Sequence, residues 1–348
     1  MGFTDFVKFR SEDYKLMQKY YPDSSAFKKL VYCWKKYRYQ KKYNFAHMEF
    51  FTFHLERRRR SEIASFYPRK MQADLYRKVN DNNMWAITKD KFASYIWLKD
   101  FYNRKVCAYN PSPNHFVKQY YDKYDWKNDI NTFLESHSSF IIKPLAGSCG
   151  KGVKIIEQKI SDNTHEIRLD SLLSEYPGGF VVEELIHQHE FFEKLNRDSL
   201  NTIRIHVFNS ESYGGDIDVK WPYLRVGRKG SQIDNISSGG IEIVLDERTG
   251  EMLFAADGKG VLYSDHPDTH VKFTGKIPFW DELFTTAKNI AKSIPQLKIA
   301  GLDLALDSTN GWTLVEINVE PKIDITQLVE NHGTRNYMEN YGRRCGVL

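Results

Sequence analysis

Two regimes of apolar spacing divide the chain near residue 86. Before it, residues 27–67 run without a single Gly or Pro and mix apolar with charged positions, which predicts helices. After it, short apolar runs alternate with Gly-containing breaks and predict strands: "FIIK" and "GVKIIE" around residues 140–157, "FVVEEL" at 180–185, and the pair "IAGLDLALD" and "WTLVEIN" at 299–318. In the last run, period-two alternation sends Glu316 and Asn318 to one face and Val315 and Ile317 to the opposite packing layer. "DSTNG" between the two final strands reads as a hairpin turn that brings Asp303 across from Glu316.

A carboxylate and an amide oxygen on one strand face, with a second carboxylate opposite, suit a hard cation such as Mg²⁺ carrying phosphates. The plainer alternative is that Glu316 and Asn318 close a strand end while Asp303 is a solvated edge residue. Between "FIIK" and "GVKIIE" lies Gly147, Ser148, Cys149, Gly150, Lys151 and Gly152, small residues whose backbone N–H groups can close over an anion as a lid. This is no Walker A loop, since GxxxxGK[ST] is absent and a strand follows. Lys143 ends the first strand where its ammonium could reach a phosphate. "FVVEEL" is an extended segment able to present its backbone to an adenine edge: Glu183, Glu184, Leu185 and Ile186 form the candidate seat, and Glu190 the candidate ribose clasp. His187, His189 and His206 form no ligand set with the cysteines, and Cys149 reads as a small filler.

Composition alters this picture mainly at one end. Of the net charge of +5 over 348 residues, residues 1–80 carry 19 Lys and Arg against 8 Asp and Glu, a balance of +11, so the remainder sums to −6. A basic, aromatic-rich helical front could meet an anionic membrane surface or a lipid-linked glycan, with nucleic acid the weaker fit; alternatively it is a solvated face whose aromatics pack on a neighbouring lobe. The first residues lack an apolar h-region, no apolar run approaches a membrane span, and four scattered cysteines indicate a reducing compartment. The expected location is the cytoplasm, with the front end suited to the inner face of a membrane.

Taken in order, "TKDKF" with Lys91, "IIKP" with Lys143, the Gly-rich lid, "VEELIHQHE", and Asp303 with Glu316 and Asn318 resemble the ATP-grasp superfamily. The spacing from hinge to ribose carboxylate and among the metal positions is similar to that of the D-alanine ligase branch. "LNRDSLNTIRIHVF", "YLRVGRKGSQIDNISSGGIEIVLDERTGEM" and the basic front look like the sugar-transfer-associated ATP-grasp proteins, related to alpha-L-glutamate ligases.

That resemblance implies an α+β, ATP-grasp fold of two lobes gripping ATP. Residues 1–85 would be the helical N-terminal region, 86–330 the ATP-grasp domain with lid and small lobe at about 140–185, and 331–348 a C-terminal tail. It implies ATP and one or two Mg²⁺, replaceable by Mn²⁺, held by Asp303, Glu316 and Asn318. Lys91, Lys143, Gly147, Ser148, Gly150, Lys151 and Gly152 would lie along the nucleotide. Arg204 and Arg225 would act on the triphosphate or an acyl-phosphate, with a strand pairing of Arg204 to Glu316 or Asp303 as the alternative. Asn235, Ser238, Gly239 and Gly240 look like a loop over the acceptor. Two departures stand out: the front is helical rather than α/β, and Lys322 replaces a common glycine. The implied activity is an ADP-forming ligase joining a small-molecule carboxylate to an amine or sugar acceptor in polysaccharide biosynthesis. A kinase of the same fold and a membrane-tethered binding protein remain open alternatives.

Overall fold

A computed structural model describes residues 3–113, 115–147, 150–158, 167–232, 234–258, 261–329 and 333–348. The chain divides into two compact units, residues 1–78 with 322–348, and residues 79–321.

The first unit is helical. Helices α1 (Phe3–Tyr20) and α2 (Ala26–Tyr43) lead into shorter turns, and residues 322–348 contribute helices Asp324–Val329 and Arg335–Arg344 to this unit. Ser25 caps α2 by accepting the Lys28 N–H, and Asn44 ends it in the left-handed conformation that an asparagine tolerates. The aromatics of the front make a core of their own, with Phe45, Phe50, Phe51, Phe53, Phe66 and Met17 buried together. Arg335 closes the unit by donating to the Ala64 carbonyl at 2.7 Å. Among the described residues, no helix is long and apolar enough to cross a membrane.

The second unit carries two antiparallel sheets. The smaller contains β1 (Val106–Tyr109), β2 (Ser139–Pro144), β3 (Lys154–Glu157) and β4 (Phe180–Glu184), in the order β1-β4-β2-β3. One side packs on helices Trp126–Ser136 and Leu169–Glu175 through Phe133, Phe140, Leu172 and Phe180. The larger contains β5 (Thr202–Asn209), β6 (Ile217–Val226), β7 (Ile241–Leu245), β8 (Met252–Asp257), β9 (Leu262–Tyr263), β10 (Ile299–Asp307) and β11 (Gly311–Asn318), in the order β11-β10-β5-β6-β7-β8-β9. The class is α+β, as expected.

Alternation makes the large sheet two-faced. Ile203, Ile205, Leu224, Ile243, Leu302 and Leu314 belong to a core that includes helix Trp280–Ser293 through Leu283, Ala287 and Ile290. The alternate positions on β11, β10, β5, β6 and β7 therefore share the other face, among them Asn318, Glu316, Asp303, Arg204, Arg225 and Glu242. The turn after Asp307 forms the expected hairpin and sets Asp303 directly opposite Glu316. One expectation fails here. The register shifts between Asp303 and Leu304, whose partners are Glu316 and Leu314, so Val315 is an extra residue in a bulge. Val315 thus leaves the core layer and lines a cleft beside Glu316.

Candidate active site

Across the polar face of the large sheet, Glu316, Asp303 and Arg204 stand side by side on β11, β10 and β5, and Arg225 follows on β6. Arg204 grips Asp303 with two nitrogens: Nε donates to Oδ1, and Nη2 donates to Oδ2 at 2.8 Å. Arg225 Nη1 reaches the same Oδ2 at 2.9 Å, while its Nη2 donates to Asp234 Oδ1 at 2.9 Å. The strand pairing held open for Arg204 is the one seen. Burial alone would raise the Asp303 pKa, but the two guanidinium groups hold it at about 2. Three of its acceptor positions are occupied, which leaves room for one further partner. Gly301 makes this packing feasible, since a Cβ there would come within 2.7 Å of Pro321 and 3.3 Å of the Arg204 Cδ.

Glu316 differs from its neighbour. It opens into the cleft and has no ion pair among the described residues; burial within the cleft walls, then the Asp303 charge, raise its pKa. The amide nitrogen of Asn318, one pleat further on, is buried without a hydrogen-bond partner. A carboxylate without an ion pair among the described residues, facing the cleft, with the Asn318 side-chain amide one pleat on, offers the oxygen donors that a hard divalent ion takes.

Cationic groups close the other side. In "TKDKF" the aspartate is structural: Asp90 accepts from the N–H groups of Phe92 and Ala93, starts helix Lys91–Trp97, and so fixes Lys91 at the cleft. Lys91 Nζ lies 3.4 Å from the Gly147 carbonyl, and burial lowers its pKa. Lys143, at the end of β2, pairs with Glu183 at 2.9 Å. The cleft of about 490 Å³ is lined by Lys91, Lys143, Lys151, Glu183, Val315, Glu316 and Asn318, with Gly147 and Gly150 on the lid. Gly150 and Gly152 have φ of 70° and 73°, and a Cβ on Gly152 would meet Pro144 at 2.8 Å, so the lid turn needs glycine there. Ser148 and Cys149 lie outside the described residues.

The hinge residues part company. Glu183 is locked between Lys143 and Arg104, whose Nη2 donates to it at 2.9 Å; burial opposes its charge, yet Lys143 and Arg104 hold its pKa at about 2. Glu184, Leu185 and Ile186 line a second cavity of about 350 Å³ with His137, His187, Asn310 and Thr313. There Glu184 contacts His137 at 3.1 Å and accepts the Lys105 N–H at 2.6 Å. Tyr102 borders both cavities. Glu190 is exposed at the start of helix Glu190–Glu193, 3.8 Å from Lys194, and lines neither cavity. His189 caps that short helix, and the His187 N–H donates to Asp307.

Two residues of this region escape sequence reasoning. Arg104 joins the sheets, holding Glu183 of β4 while its Nη1 donates to the Leu314 carbonyl of β11 at 2.8 Å. Glu242 is buried opposite Arg225 on β7 with one carboxylate oxygen unpartnered, and burial lifts its pKa to about 8. The available signal was a lone glutamate in "GGIEIVL", at a position sharing the polar face. The preceding loop is folded tightly: the Asn235 carbonyl accepts from Ser238 and Gly240, and a Cβ on Gly240 would strike the Asp234 carbonyl at 2.4 Å. Asp234 thereby ties Asn235, Ser238, Gly239 and Gly240 to Arg225.

Two sheets enclosing a lysine-rich cleft beneath a glycine lid, facing an Asp and a Glu-x-Asn pair, define an ATP-grasp protein. More narrowly, the chain belongs to the sugar-transfer associated ATP-grasp family, whose model matches residues 70–343. Solved structures with partial similarity include the following three. One is an N5-carboxyaminoimidazole ribonucleotide synthetase in an ADP complex (10% identity, 74% of this chain and 52% of that chain, TM-score 0.42). Another is the ATP-grasp ligase PsnB complexed with minimal precursor, Mg and ADP (12%, 80% and 68%, 0.40). A third is D-alanyl-alanine synthetase A from Vibrio cholerae (11%, 74% and 63%, 0.39). The chain thus spans about half the length of the first, 52%. No curated protein matches it.

Proposed function

We propose that this protein is an ATP-dependent, ADP-forming ligase that joins a carboxylate to an amine through an acyl-phosphate. The observation that carries the reading is the cleft of about 490 Å³ in which lysines from three separate segments, Lys91, Lys143 and Lys151, confront Glu316 and Asn318. Lysines on one wall neutralise a triphosphate. Glu316 and Asn318 on the other, with Asp303 opposite Glu316 on the neighbouring strand, would hold one or two Mg²⁺, or Mn²⁺ in replacement, which when bound screens the phosphate charge.

In the first step a carboxylate oxygen of the substrate attacks the γ-phosphorus, the β–γ bridging P–O bond breaks and ADP departs. In the second, an acceptor amine attacks the acyl carbon and the C–O bond to phosphate breaks. The amine proton leaves with the phosphate. Both steps need positioning and charge stabilisation rather than a protein nucleophile. Arg204 and Arg225, fixed by Asp303 and Asp234, supply immobile positive charge beside the loop at 235–240, where the acceptor would sit. Glu183 would orient Lys143, and Glu184 through Ile186 would receive the adenine. Glu190, exposed as it is, would reach a ribose only at the cleft rim. The family's description, sugar-transfer associated, supports a sugar as acceptor; that the acceptor is a polysaccharide precursor, lipid-linked at the inner face of a membrane, is the further reach of this proposal.

The test is phosphate release from Mg²⁺-ATP against amino acids, uronic acids and amino sugars, with mass spectrometry of products and Glu316→Gln as control. Glu316 is preferred to Asp303 because the latter anchors two buried arginines. Acceptor-dependent phosphate release with a condensed product, lost in the variant, supports the ligase. A product carrying the phosphoryl group on a hydroxyl makes it a kinase and overturns the proposal.

A further inference from the structure

Helix α2 carries apolar side chains on both sides: Tyr32, Cys33, Tyr39 and Tyr43 pack inward on the unit's own core. Its inward side buries Lys36 completely, against Asp13 of α1 at 2.7 Å and Gln40 at 3.2 Å. Its outward side carries Phe27, Leu30, Trp34 and Tyr37, with 77%, 58%, 54% and 42% of their surfaces exposed. The spacing i, i+3, i+7, i+10 puts the four on one stripe of the helix. A water-facing helix would normally place these groups the other way round, since burying a charge is unfavourable and apolar surface prefers cover. Nearby aromatics do bury themselves: Phe45, Phe50 and Phe53 fill the unit's own core. The exposed four are therefore not a general surplus of aromatic residues.

Exposed bases border the stripe. Arg38 lies over the Trp34 ring at 5.1 Å and Lys41 over the Tyr37 ring at 6.0 Å, with Lys28 and Lys42 exposed beside them. Bases lying along aromatic rings at the border of an apolar stripe match the headgroup level of a bilayer, where tryptophan and tyrosine settle and long cationic side chains reach anionic phosphates. With no helix able to span a membrane among the described residues, such contact would be in the plane of the surface. The charge balance of +11 in residues 1–80, against −6 for the remainder, supplies electrostatic complementarity at this end of the chain.

We infer that α2 docks on an anionic phospholipid bilayer, with Phe27, Leu30, Trp34 and Tyr37 entering the interface and Lys28, Arg38, Lys41 and Lys42 meeting the headgroups. The inference goes beyond the proposed ligase activity and does not depend on it, because binding is measured without turnover.

The experiment is flotation of the full chain with phosphatidylcholine vesicles, with and without a third of phosphatidylglycerol. It compares the wild type with a triple variant, Phe27→Ser, Leu30→Ser and Trp34→Ser. Far-UV circular dichroism and Mg²⁺-nucleotide binding serve as measures of folding. The expected result is binding that needs phosphatidylglycerol, weakens with salt, and falls at least about tenfold in a folded triple variant. Brominated lipid should quench the wild type more than Trp34→Phe. Three results would overturn the inference: no binding of the wild type at low salt, equal binding by the folded triple variant, or a stripe-dependent dimer in place of vesicle binding.

Discussion

Replacing Glu183 by Gln tests the electrostatic latch that joins the two sheets. The carboxylate sits between Arg104 and Lys143, both 2.9 Å away, with side-chain exposures of 4% for Arg104 and Glu183 and 14% for Lys143. Its pKa falls from 4.5 to about 2 because two opposite charges outweigh burial. A folded-state pKa below the unfolded value means that the stabilisation is complete above about pH 4.5 and is lost as pH falls toward about 2. That depression corresponds to about 3 kcal/mol, close to the cost of leaving a buried charge without its partner. Urea unfolding of the wild type and the variant, followed by tryptophan fluorescence and circular dichroism from about pH 7 down to pH 2, measures this directly. The expected stability difference is about 3–4 kcal/mol at neutral pH and shrinks to about 1 kcal/mol or less at the acid end. Asp303 also titrates in that range, but it is common to both proteins and cancels in the difference. A difference that stays constant with pH would refute the pairing, since it would mean that the carboxylate carries no stabilising charge in the folded state.

Other expectations follow from the same geometry. Glu242 has a folded-state pKa near 8, so the native form holds its proton through a window where the unfolded chain has lost it, and stability falls as pH rises from about 4.5 to 8. Glu242→Gln should remove that fall, gaining on the order of 3 kcal/mol over wild type at about pH 8 and little at pH 5, as read from thermal melts. Gly301→Ala should cost about 1–3 kcal/mol in chemical denaturation, because the added Cβ meets Pro321 at 2.7 Å. Arg104→Met should lower stability by about 3–5 kcal/mol and speed amide exchange in both β4 and β11, where its hydrogen bonds end. Exchange confined to one sheet would show that Arg104 does not couple them.

How far the sequence could be read depended on the distance over which each feature is decided. The β10–β11 hairpin was legible because five turn residues and a period of two fix which side chains share a face, and Asp303 indeed lies opposite Glu316. The bulge at Val315 was not, since an extra residue in a strand leaves no compositional trace. Arg104 was not singled out by any motif; its partners lie 79 and 210 residues away at Glu183 and Leu314, and only the closing of two sheets brings them together. Glu242 is similar, hidden in an apolar strand whose polar face is defined by Arg225 on the neighbouring strand. In the front end composition was clear but orientation was not: nothing in the interleaved bases and aromatics tells which face inward, and the folded helix buries Lys36 while exposing Trp34.

The measurement that bears most directly on the central claim is calorimetric titration of a non-hydrolysable ATP analogue into the wild type and Glu316→Gln, each with Mg²⁺ and with chelator. Glu316 is exposed to the cleft and makes no ion pair among the described residues, so the variant should unfold within about 0.5 kcal/mol of wild type. The account predicts one nucleotide per chain, binding at least about tenfold tighter with Mg²⁺ than with chelator, and loss of that metal-dependent gain in the variant. Equal affinity with and without Mg²⁺, or a metal-dependent gain that survives in Glu316→Gln, would contradict it.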